Sequence, residues 1–233
     1  MTVIEHLAEL RRRILISIFA IVFTASLAYW FAPDIIRFFL HYYKDVTHGK
    51  KNAFIFTGPL DAFVTRLKVA TYSGILLALP VWLWQLWRFI TPGLSKREKR
   101  YAVPFILSSL ALFAAGGTVA MLILPKALDF LLKAGGTELQ PLLTADRYLT
   151  LVLLMILAFG LAFEFPVVLV FLLLARVITT KGLRKRRRYA IVGIFAFAAI
   201  ITPSQDPYSL FFMAIPMCLF YEGSIILGRI MKR

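Results

Sequence analysis

The sequence predicts an all-α integral membrane protein, a single polytopic domain over 1–233 with six transmembrane helices and both termini in the cytoplasm. Three observations predict it. Sixty per cent of the residues are hydrophobic and the mean hydropathy is +0.79, more apolar surface than a soluble domain of this length can hide. The apolar residues gather into runs near the length of about 20 that crosses a bilayer. The charged residues crowd into short stretches between the runs, with basic residues strongly biased to alternate stretches.

Residues 1–13 read as a cytoplasmic amphipathic helix along the membrane interface, with Val3, Leu7, Leu10 and Ile14 on one face. The first span, 14–32, follows Arg11, Arg12 and Arg13 and so imitates a secretory signal, with Ser26-Leu27-Ala28 as a cleavage-like site. Its apolar run continues to Phe31, beyond the roughly 7–15 residues of a cleaved signal, so a signal-anchor helix is expected. No serine-rich, acid-poor transit peptide precedes it, and a bacterial or archaeal cytoplasmic membrane is therefore the expected location.

An external segment follows, 33–68, opening on Ile35, Ile36, Phe38, Phe39 and Leu40; the first helix should continue past the membrane surface and join a packed cap. The second span covers 69–90 and the third 102–124. In the external segment 125–148, Gly135-Gly136 and Pro141 mark a turn between helical pieces. The fourth span is 149–175. The fifth, 189–202, reaches only about 20 Å against a hydrocarbon core of about 30 Å, so it must tilt little or thin the bilayer. A tight hairpin at 203–207 leads into the sixth, 208–228. Arg11 to Arg13, then Arg88 and Lys96 to Arg100, then Arg176 to Arg188, then Arg229 to Arg233 fall on one side, which the positive-inside rule assigns to the cytoplasm. Pro80, Pro104, Pro166 and Pro216 lie in or near spans; they read equally as ordinary membrane-helix prolines and as kinks shaping a concave bundle.

Several function classes are disfavoured. The net charge of +15 forms no stripe on a polar domain, so nucleic acid is not an expected partner. The single cysteine, Cys218, sits in an apolar run and allows neither a disulfide framework nor a cysteine metal cluster. His6, His41 and His48 lie outside the spans or at their edges, which disfavours an intramembrane serine–histidine hydrolase, and no phosphate-binding glycine loop occurs. Binding without catalysis, and without a cofactor, is the expectation.

Three acids stand out. Glu164, near the middle of the fourth span, costs about 2.5–3.5 kcal/mol to insert and so marks a functional position. It reads either as a protonated acid bonded to a carbonyl freed by Pro166 or as a polar contact to another protein's membrane helix. Glu9 reads either as an intrahelical partner of Arg12 or Arg13 or as a recognition carboxylate. Glu98 sits among Lys96, Arg97, Lys99 and Arg100, and either neutralises them or reads a cationic ligand. Two carboxylates on the cytoplasmic face could hold guanidinium groups bidentately, which suits an arginine pair better than a lysine pair.

The stretches His6-Leu7-Ala8-Glu9-Leu10-Arg11-Arg12-Arg13, Phe89-Ile90-Thr91-Pro92-Gly93-Leu94 leading to Glu98, Phe159 to Pro166, Leu183 to Arg187, Thr202-Pro203 with Asp206-Pro207, and Ala214-Ile215-Pro216-Met217 together resemble the TatC family of the twin-arginine translocase over nearly the whole chain. The resemblance implies a glove-shaped six-helix bundle that binds twin-arginine signal peptides at its cytoplasmic face. It also implies export of folded proteins by the proton-motive force, single-span TatA and TatB partners, self-association and surrounding lipid. It assigns Glu9, Glu98 and Arg11 to signal-peptide binding, Glu164 with Gln85 to the intramembrane partner face, and Asp61 and Asp206 to the external cap and hairpin. Trp87 also fits the family's second span. The loop departs from many relatives, which carry a tyrosine, a histidine and a second arginine around Glu98, and Asp61 stands where glutamate is common. The competing reading is a secondary transporter in which Glu164 relays a proton, although no inverted pair of interrupted spans appears.

Overall fold

The computed structural model describes residues 3–46, 58–90, 102–134 and 144–230, and among these the chain forms nine helices. They are α1 (Val3–Val46), α2 (Asp61–Leu77), α3 (Leu79–Ile90), α4 (Ala102–Lys133), α5 (Ala145–Phe163), α6 (Phe165–Leu174), α7 (Thr180–Lys185), α8 (Arg187–Ile201) and α9 (Pro207–Ile230). Contacts divide the chain into two compact units, residues 1–89 with 128–154 and residues 90–127 with 155–233.

In the first unit α1 runs for 44 residues, about 66 Å, so the amphipathic segment predicted over 1–13 is not a separate element. It continues without a break into the first span and on to Val46, past the predicted membrane boundary at residue 32. Within the first span the side of α1 that meets its neighbours is small: Ala28 and Ala32 are buried, while Phe19, Phe23 and Trp30 are 72%, 73% and 80% exposed. Small residues inside and large ones outside is the pattern of helices packed in lipid, where close backbone approach supplies the attraction. At the α1–α2 crossing a Cβ on Gly74 would lie 2.5 Å from Ala25 Cα, and Thr24 Oγ1 donates to Gly74 O at 2.8 Å.

The second predicted span is broken. α2 and α3 meet at Ala78 with a bend of 51°. Pro80, second in α3, has no N–H to continue the ladder. The Trp82 indole N–H donates to Ile75 O at 3.2 Å, supplying a donor at the break. Beyond the first span, Tyr148 Oη donates to Phe39 O at 3.0 Å, the Tyr148 and Tyr43 rings meet edge to face, and Lys68 pairs with Asp146 at 2.8 Å. The Arg66 guanidinium sits 4.3 Å from the Tyr29 ring centroid. These contacts join α1, α2 and the start of α5. The predicted cap residues 47–57 and the predicted turn at Gly135-Gly136 and Pro141 lie outside the described residues.

In the second unit α5 gives way to α6 at Glu164, with Pro166 in the first turn of α6. A Cβ on Gly116 of α4 would lie 2.5 Å from Phe159 O of α5, another close crossing. α6 packs on α9, and Leu173 of α6 and Met213, Ala214, Met217 and Ile225 of α9 are buried. α8 returns into α9 through residues 202–206. Tyr221 Oη donates to Leu183 O at 2.8 Å, and Arg187 pairs with Glu222 at 2.6 Å.

Among the described residues four stretches are long and apolar enough to cross a membrane, Ile4–Lys44, Val103–Lys133, Ala145–Leu174 and Pro207–Ile230, and the bent α2–α3 pair makes a fifth if it is one span. α8, the counterpart of the predicted span 189–202, has 15 residues and rises about 22 Å, short of that length.

Gly74→Ala should destabilise the protein by about 1–3 kcal/mol, because its methyl group meets backbone that cannot turn aside. Gly223→Ala, with nothing within 4 Å of the added atom, should leave the thermal unfolding midpoint in detergent unchanged or raised.

Candidate functional site

Two turns of α1 and two of α3 build the first site. His6, Glu9 and Arg13 follow each other at spacings of three and four on α1, and Gln85 and Phe89 are four apart on α3, so each set shares a helix face. Across the contact, His6 stacks on Phe89 with ring centroids 4.4 Å apart, and Arg13 Nη1 donates to Gln85 Oε1 at 3.2 Å. Arg13 also turns back along its own helix, where Nε at 3.0 Å and Nη2 both donate to Glu9 Oε1.

Glu9 is thus held asymmetrically. Oε1 takes two charge-assisted bonds, whereas Oε2 is buried and meets no hydrogen-bond partner. The two side chains are only 17% and 16% exposed, so water supplies little of what Oε2 lacks. A niche of about 440 Å³ opens here, lined by Ala8, Glu9, Arg12, Arg13, Ile16, Gln85 and Arg88. A buried carboxylate oxygen without a donor favours a cationic N–H donor over a neutral one, by roughly twofold in bond strength.

The second site is in the other unit. Glu164 occupies the junction of α5 and α6 in near-helical backbone, and its N–H donates to Leu161 O at 3.1 Å. Its Oε1 is buried without a partner, so that oxygen makes no bond to the carbonyl freed by Pro166. The neighbouring Ser109 hydroxyl of α4 is buried and close enough to act on the carboxyl, though outside full hydrogen-bond geometry. An apolar groove of about 520 Å³ runs past it, walled by Leu161, Phe165, Val168, Ile194, Phe197 and Met217. Gly193 on the same wall has nothing within 4 Å where a side chain would begin, leaving room for a closely approaching backbone.

The remaining predicted residues are placed as follows. Gln85 holds Arg13 beside Glu9. Arg11 is exposed and outside the niche lining. Glu98 lies outside the described residues. Asp61 closes the turn into α2: Gly58 N–H donates to Asp61 Oδ2 at 2.8 Å, and Asp61 N–H to Gly58 O at 3.2 Å. Asp206 is 1% exposed; Ser209 N–H donates to its Oδ1 at 2.8 Å and Ser204 Oγ to its Oδ2. These two aspartates are engaged by backbone and serine, which is structural work at helix starts. Arg12, Arg13 and Arg88 were not singled out as site residues. Arg13 was legible as an i,i+4 partner of Glu9, while nothing in the sequence brings Gln85 or Arg88 to α1.

Apolar helices with small residues at their crossings and two carboxylates held short of full pairing define a polytopic α-helical membrane protein. The family model for the Sec-independent protein translocase protein (TatC) matches residues 5–216. Relatives carrying the same description are found in Frankia casuarinae, 40% identical over 98% of this chain and 65% of the relative, and in Aquifex aeolicus, 40% identical over 100% of this chain and 97% of the relative. Another, in Magnetococcus marinus, is 39% identical over 99% of this chain and 84% of its own length. A crystal structure of the twin arginine translocase receptor TatC superposes with a TM-score of 0.81 at 39% identity, covering 98% of this chain and 100% of that one. The chain belongs to the TatC family.

Asp206→Ala should cost about 0.5–2 kcal/mol from the lost cap alone and lower the thermal midpoint in detergent, because Ser204 and Ser209 N–H lose their acceptor together. Asp206→Asn, which keeps a capping oxygen, should recover most of it.

Proposed function

We propose that this chain is the receptor subunit of a twin-arginine protein translocase. It binds the paired-arginine signal peptide of folded cargo at the cytoplasmic face and scaffolds single-span subunits of the TatA and TatB type for export driven by the proton-motive force. In this reading α8 is a sixth, short span and both termini face the cytoplasm, in keeping with the basic residues at the inner loops.

The observation that carries the reading is Glu9 Oε2, buried, without a donor, and oriented by a partner that is itself held from α3. Arg13 pins one oxygen and leaves the other for a guanidinium brought by a ligand. A planar guanidinium meets a fixed carboxylate edge better than an ammonium, which is the physical basis for preferring arginine to lysine. Arg11 and Glu98 join the same role on their sequence motifs alone. Glu164 serves the membrane-embedded partners: a polar side chain on a partner's helix, laid in the groove past Gly193, would supply the donor that Oε1 lacks.

Titration of a fluorescent paired-arginine signal peptide into detergent-solubilised protein tests this. Glu9→Gln should weaken binding about tenfold or more, the loss of a charge-assisted bond of about 1.5–3 kcal/mol. Asp146→Asn, which breaks an ion pair with Lys68 outside the niche lining, should bind as the unmodified protein does. Equal affinity for Glu9→Gln and the unmodified chain would remove the receptor reading.

A further inference from the structure

Arg13 and Glu9 lie one helical turn apart, placed to make a two-pronged ion pair, and they do not make one. The usual arginine–carboxylate fork sends two parallel N–H groups to two different oxygens. Here Nε and Nη2 converge on Oε1, and Oε2 stays buried with no partner. Both side chains are mostly buried, and a carboxylate oxygen is among the more costly groups to leave unserved in such a place. Something holds the guanidinium off the second oxygen.

The remaining nitrogen shows what does. Nη1 lies off the Nε–Nη2 edge and donates to Gln85 Oε1 of α3 at 3.2 Å. A side-on fork needs the Nε–Nη2 edge to slide along the carboxylate until each N–H faces its own oxygen, and that slide draws Nη1 away from Gln85. The Glu9 carboxyl turns easily about its terminal bond, so it does not set the arrangement by itself. An amide oxygen suits the anchoring role. It accepts a strong bond from a cationic N–H, yet brings no negative charge to compete with Glu9 for an incoming cation.

We infer that Gln85 is a positioning residue for recognition: by tying Arg13 to one oxygen of Glu9, it keeps the other oxygen available to the guanidinium of the ligand. This role rests on the receptor reading of Glu9. Without the Gln85 acceptor, Arg13 closes over both oxygens and takes the place of the ligand. The chain then gains a complete ion pair and loses its open carboxylate edge. Stability and affinity therefore move in opposite directions, whereas a residue that only braced α3 against α1 would lower both when lost.

Gln85→Met, which keeps the length of the side chain and removes the acceptor, separates these outcomes. In the full chain in detergent it should bind a fluorescent paired-arginine signal peptide about tenfold more weakly, while the thermal midpoint without peptide stays equal or rises. Gln85→Glu, which keeps an acceptor for Nη1, should retain binding. Adding Arg13→Lys to Gln85→Met should recover affinity about fivefold or more over Gln85→Met alone, because an ammonium cannot fork across two oxygens. A brace gives no recovery when its second member is also replaced. Unchanged binding by Gln85→Met, a midpoint that falls together with affinity, or no recovery in the double variant overturns the inference while Glu9→Gln still binds weakly and the receptor reading stands. Binding by Glu9→Gln equal to that of the unmodified chain removes the receptor reading, and this role of Gln85 with it.

Discussion

With little water inside an apolar bundle, every polar group must find its partner within the chain or from a bound molecule, and most of this structure follows from meeting that demand. Hydroxyls turn back onto their own helices, as Ser17 does to Arg13 O, Thr118 to Ala114 O and Ser224 to Phe220 O. Helix ends and breaks recruit side chains for the same reason. Trp82 serves the carbonyl of Ile75 where α2 stops, and Asp206 gathers Ser204 and Ser209 at the start of α9. Helices pack through glycine at Gly74 and Gly116, where backbones nearly touch.

Among the described residues six buried side-chain oxygens lack a partner, the hydroxyls of Thr65, Ser109, Thr150 and Ser209 and two acid oxygens, and the two acids carry meaning. Glu9 Oε2 and Glu164 Oε1 are acid oxygens in dry or half-dry places, each left without a hydrogen-bond partner. An unpaired buried carboxylate oxygen is destabilising by itself, so a bound partner that supplies the donor gains the free energy that folding left unused. In the first unit the arrangement is asymmetric, because Arg13 directs two donors to one oxygen and a third to Gln85. In the second, the proline two residues beyond Glu164 removes a backbone donor at the same place that the helix breaks.

Much of this was legible in the sequence. Run length and loop charge outlined the apolar helices, and the continuation of the first helix beyond its span was readable from Ile35 to Leu40. Proline marked the breaks only in part. Pro80 and Pro166 lie beside junctions, and Pro104 sits in the first turn of α4, where a missing N–H costs little. Pro33, Pro125 and Pro216 lie inside unbroken helices, and the structure offers no physical account of why these are absorbed. Glu9 and Arg13 were visible as a helical pair because their spacing is local. Gln85 and Arg88 were not, since their meeting with α1 depends on the register of two helices 72 residues apart at the Arg13–Gln85 contact, which packing decides.

An oriented carboxylate edge at Glu9 should read the shape of a guanidinium and not merely its charge. A double-mutant cycle measures this directly, pairing Glu9→Gln with replacement of each signal-peptide arginine by lysine and determining all the affinities in one detergent at one salt concentration. The expected coupling is about 1.5 kcal/mol or more for one of the two arginines, with lysine and arginine peptides binding Glu9→Gln almost alike. Additive effects at both arginines, with the full preference for arginine kept in Glu9→Gln, would be incompatible with shape recognition at this carboxylate.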